Sequence, residues 1–69
     1  MVEVFKTDVE KEEEVEEILR KLSEHYPECK INFDLEDCDN ILRVEGRKLN
    51  PQTIINCLNN LSYKCIILE

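Results

Sequence analysis

The chain has 69 residues, 16 of them acidic and nine basic, giving a formal net charge of −7, with 42% hydrophobic and 36% charged residues. This length fits a single domain with a small core, because a chain of this size hides only roughly 60% of the surface it exposes when unfolded. The composition fits a folded, soluble domain. The charge repels nucleic-acid phosphates, no apolar run approaches the roughly 20 residues of a membrane span, and Met1-Val2-Glu3-Val4 lacks the segments of a signal peptide. A cytoplasmic domain with neither nucleic acid nor membrane as partner is expected.

In chain order, Val2 to Lys6 is a β-branched and aromatic run that reads as a strand. Thr7 and Glu10 have the spacing of a capping box, which predicts a helix from about Asp8 to His25, ending before Pro27. Val15, Ile18, Leu19 and Leu22 form its apolar stripe. Six glutamates between Glu10 and Glu17 crowd its early part. Those in the first turn suit the positive end of the helix dipole.

Cys29, Ile31, Phe33 and Leu35 alternate with Lys30, Asn32, Asp34 and Glu36, the period of a strand with one wet face. Asp37-Cys38-Asp39-Asn40 reads as a turn, and Ile41 to Glu45 as the returning strand, punctuated by Gly46. Asn50-Pro51 reads as a helix cap followed by the first helical residue, with Ile54, Leu58 and Leu61 as the stripe. Lys64 to Leu68 closes the chain as an apolar strand. The order β-α-β-β-α-β predicts an α+β, ferredoxin-like sandwich over residues 1–69. Its four antiparallel strands should run 4-1-3-2, with both helices on one face.

This topology brings the turn around Asp8, the hairpin at Cys38 and the loop Ser62-Tyr63-Lys64 to one end. Over nearly its whole length the chain resembles the heavy-metal-associated domains of copper chaperones and metal-transporting ATPases. Val15, Glu16 and Leu19 match positions of that family's first helix, and Ser62-Tyr63-Lys64 echoes its late loop. The family opens this helix with an M-x-C-x-x-C turn. Here the alignment puts Lys6, Asp8 and Lys11 at the methionine and the two cysteine positions. The resemblance therefore implies the family's fold without its thiolate pair. Copper(I) coordination and transfer need two soft sulfur donors, whereas Asp8 and Lys11 offer a hard oxygen and a cation.

None of the four cysteines falls in a C-x-x-C spacing. Cys29 and Cys57 read as packing, and Cys57 lies within reach of Cys65 as a small hydrophobic neighbour. Cys38 is the thiol expected to be exposed, with Asp37 and Asp39 disfavouring its thiolate. Together these three are weak candidates for a cation. His25 falls at the end of the first helix, where it suits the dipole. No nucleophile-base pair or phosphate-cradling glycine loop can be assembled, so neither enzymatic activity nor a cofactor is expected.

Alternation directs Val2, Val4, Leu42 and Val44 toward the helices. It leaves Phe5, Ile41 and Arg43 on the open sheet face, joined on the last strand by Ile66 and Leu68 or by Cys65 and Ile67. The leading expectation is a protein-interaction domain that uses this face, for an unknown partner or a second copy. The alternatives are residual soft-metal binding through Cys38 or partner-supplied thiols, and a small-molecule regulatory module similar to the ACT domains.

Overall fold

The computed structural model describes residues 1–36 and 40–68. Asp37, Cys38 and Asp39, the weak cation candidates of the predicted hairpin, and Glu69 lie outside the described residues. The elements are β1 (Val2–Thr7), α1 (Glu12–His25), β2 (Lys30–Asp34), β3 (Ile41–Glu45), α2 (Pro51–Asn60) and β4 (Cys65–Ile67). The strands form one four-stranded sheet in the order β2-β3-β1-β4, antiparallel throughout. This is the predicted ferredoxin-like α+β arrangement.

One core joins the sheet to the helices: Phe5, Leu42 and Val44 pack with Ile18 and Leu22 of α1, Ile54 and Leu58 of α2, and Val9 and Cys65. The stripes predicted for both helices thus supply their buried residues. Cys29, Ile31, Phe33 and Leu35 are half-buried while the residues alternating with them are exposed, so β2 has the predicted phase.

The phase of β1 is the reverse of that expected. Phe5 is fully buried and Thr7 nearly so, whereas Val2 is exposed and Val4 half-buried. The pairings agree, since Phe5 lies opposite the buried Leu42 and Val4 opposite the exposed Arg43. Burying the phenyl ring removes more apolar area from water than burying a valine, and a strand cannot point neighbouring residues to the same face. Phe5 therefore belongs to the core and not to the open face, and Val2 and Val4 take the outward positions.

The start of α1 also differs. Thr7 does not cap it: its hydroxyl donates to the Asn40 carbonyl at 2.7 Å and accepts the Val9 N–H at 3.3 Å. That turn places Val9 in the core with no exposure, and the helix begins only at Glu12. The Glu14 carboxylate accepts the N–H groups of Lys11 at 3.0 Å and Glu10 at 3.3 Å. Lysine has no acceptor, so only the return half of a capping box forms.

Asn50 caps α2 as predicted, its side-chain oxygen accepting the Gln52 N–H at 3.1 Å. At the other end of α2, Tyr63 N–H reaches the Leu58 carbonyl at 2.9 Å and Ser62 N–H the Asn59 carbonyl at 3.0 Å. This is the paired closure of a Schellman motif, and Ser62 occupies its left-handed position with φ 72. A side chain there costs about 1 kcal/mol that glycine avoids. Ser62→Gly should raise the stability measured by urea unfolding by about 0.5–1 kcal/mol.

Candidate functional site

Two of the connections predicted to share one end, the turn around Asp8 and the loop Ser62-Tyr63-Lys64, do meet, with Asn40 beside them; the hairpin at Cys38 lies outside the described residues. The Thr7 hydroxyl ties β1 to Asn40, and Asp8 is bonded to Lys64 twice. Asp8 Oδ1 accepts the Lys64 N–H at 2.7 Å, and the Asp8 N–H donates to the Lys64 carbonyl at 3.3 Å. The Tyr63 hydroxyl and the Glu14 carboxylate influence one another's protonation. The positions that the resemblance assigned to the family's metal turn, Asp8 and Lys11, thus lie in internal bonds, Asp8 with Lys64 and Lys11 with Glu14.

The Lys11 N–H bonded to Glu14 holds that carboxyl below its ordinary range, with smaller help from Tyr63 and Glu10, against a desolvation that acts the other way. Burial pushes the Tyr63 phenol up, followed by its bond to Glu14 and by the negative charges of Glu14, Glu17 and Asp8. A phenol shifted upward stays a donor at neutral pH. The role of Glu14 escaped the sequence reading because Thr7 and Glu10 offered the same three-residue spacing with a better cap.

Cys29, Cys57 and Cys65 are free thiols. Cys65 is buried in the core, where desolvation pushes its thiol up to about 12. Cys57, half-buried, packs against the same core and is raised by burial, with Lys21 opposing weakly. Both are held as thiols at neutral pH, the form that neither attacks nor ligates well. Cys29 packs at the opposite end, against Gly46. Among the described residues no group of three or more His, Cys, Asp or Glu side chains is arranged to hold a metal ion.

The open sheet face is the remaining candidate, and the strand register maps it residue by residue. Val2 lies beside Glu45 and Lys30, Val4 beside Arg43 and Asn32, and Lys6 between Ile41 and Ile66, with Asp34 beyond Ile41. On the last strand, Cys65 points into the core and Ile66 outward. Leu68, whose N–H bonds the Val4 carbonyl at 2.8 Å, continues the outward phase. Of the expected interface residues, Ile41, Arg43, Ile66 and Leu68 are on this face, with Val4 in place of Phe5. The β1–β4 half is apolar through Val2, Val4, Ile66 and Leu68, with Lys6 as its one charge, between Ile41 and Ile66. The β2–β3 half is polar and carries both signs of charge.

Ile66 is 59% exposed, Val2 44% and Leu68 38%. Three of the large hydrophobic side chains left in water therefore sit on neighbouring strands of one face. Acidic charge collects elsewhere, around the start of α1. There Glu10, Glu12 and Glu16 rim a cleft of about 620 Å³ floored by Val15 and Phe33. His25 lies at the far end of α1, away from Asp8, where the cation-favouring end of the helix dipole was expected to place it.

The sequence matches no protein-family model, and comparison with curated proteins and with solved structures returned no match. No helix among the described residues is long and apolar enough to cross a membrane.

Proposed function

We propose that this chain is a non-enzymatic interaction domain, built on a frame like that of the heavy-metal-associated domains but without their thiolate pair, whose working surface is the open face of the sheet and whose occupant is a second copy of the chain. The observation that carries this reading is the apolar half-face of Val2, Val4, Ile66 and Leu68, set beside a polar half of balanced charge.

Charge selects the second copy. The chain carries a net −7, so two copies repel one another wherever the α1 side takes part. The open face escapes this penalty, since Lys6, Lys30 and Arg43 there stand against Asp34 and Glu45. A two-fold axis through the β1–β4 half brings the apolar strip of one copy onto the same strip of the other, as an isologous contact requires. The polar half then offers both signs of charge to its own image at the rim, where they set orientation more than affinity.

Amide NMR spectra recorded across a dilution series test the reading. Concentration-dependent shifts should concentrate on Val2–Lys6, Ile41–Glu45 and Cys65–Leu68. Shifts confined to α1, or no shifts up to millimolar protein, would contradict it.

A further inference from the structure

At the end of the molecule opposite Asp8, a cleft of about 340 Å³ opens between the turn after α1 and the loop after β3. Tyr26, Pro27 and Cys29 form its apolar wall, and His25, Arg47 and Lys48 stand around it with Glu28 as the one carboxylate. We infer that this cleft binds a small organic anion with a flat apolar body, of the aryl phosphate or aromatic carboxylate kind.

The walls are set by the fold. Tyr26 N–H closes α1 on the Leu22 carbonyl at 2.7 Å, and Cys29 N–H bonds the Tyr26 carbonyl at 3.1 Å, fixing the turn. The facing loop is pinned at Gly46, whose N–H and carbonyl bond Met1 at 3.0 and 2.8 Å and whose Cα lies close against Cys29. The backbone of the cleft is thereby preformed, as ligand pockets usually are. Its volume sits at the lower end of the usual range, roughly 300–1,000 Å³, which limits the occupant to a small molecule.

The charge of the cleft is opposite to that of the chain. With 16 acidic and nine basic residues, an average stretch of this surface is negative, yet here Arg47 and Lys48 are adjacent and exposed. No hydrogen bond or ion pair joins either side chain to a described carboxylate. A guanidinium beside an ammonium takes a phosphate or carboxylate through paired charge-assisted bonds. His25 adds an imidazole donor. The carbonyl end of α1 and Glu28 repel negative charge, so the anionic group belongs on the Arg47–Lys48 side. The apolar body then lies along Tyr26 and Pro27, where an aromatic ring gains stacking contact.

Titration of ¹⁵N-labelled protein with phenyl phosphate and with benzoate tests this site. At least one probe should give saturable shifts confined to residues 25–29 and 46–49, with a Kd of about 1–5 mM, as suits so small a ligand. Inorganic phosphate and phenol should each bind at least about tenfold more weakly, since each keeps only half of the recognition. The exposed double variant Arg47→Gln/Lys48→Gln should keep the fold and weaken binding about tenfold or more. Three results would overturn the inference: no saturation by either organic anion, binding unchanged in the double variant, or inorganic phosphate binding as well as phenyl phosphate.

Discussion

Phe5→Ala should cost about 3–5 kcal/mol of folding free energy, the range for an aromatic side chain removed from a closed core. Phe5 has no exposure and touches the same cluster as both helices, so its loss leaves a cavity at the centre of the only core among the described residues. A domain this small holds only about 3–5 kcal/mol in total. The variant should therefore be largely unfolded at 25 °C by circular dichroism. Val4→Ala, one residue away on the open face, should cost no more than about 1 kcal/mol in the same urea titration. Equal losses, or a greater loss at Val4, would show that β1 has the opposite phase.

Gly46→Ala, in the half-buried turn after β3, should be the next most damaging substitution, at about 1–3 kcal/mol. Conformation is not the reason, since Gly46 does not have a positive φ. Space is: a Cβ built there falls well inside contact distance of Cys29 Sγ and meets Leu49 Cδ2 at 3.3 Å. The Cys29 sulfur is the obstacle, so Cys29→Ala in the Gly46→Ala background should recover much of the loss. A double-mutant cycle reads this as a coupling energy of opposite sign to the single penalties. Additive losses would mean that the turn itself, and not the sulfur, requires glycine.

Much of the fold was legible because its signals were local. The alternation from Cys29 to Glu36 has one reading, the Asn50-Pro51 pair marks a helix start, and the stripes of both helices are spaced for one apolar face each. The phase of β1 was not legible in the same way. Val2, Val4 and Phe5 are all apolar, so the strand lacks a clean alternation, and only the packing of Phe5, Thr7 and Val9 on one side decides it. The start of α1 failed for a related reason. Thr7 is the better cap by type, but its hydroxyl is spent on Asn40 and Val9, and these bonds exist only once the sheet has formed. Of the expected interface, Ile41 and Arg43 follow from alternation alone, the choice of Ile66 and Leu68 over Cys65 and Ile67 needs the burial of Cys65, and Phe5 carries the error of its strand. The internal bonds of Asp8 to Lys64 join segments more than fifty residues apart in sequence, beyond the reach of any spacing rule.

Sedimentation equilibrium of the wild-type chain and of Ile66→Glu tests the role of the open face most directly. The wild type should show a reversible monomer–dimer equilibrium. The variant, which adds a carboxylate to the apolar strip at a site already 59% exposed, should fold normally and sediment as a monomer. A wild-type chain that stays monomeric at millimolar concentration, or a dimer that Ile66→Glu leaves intact, would contradict the proposal.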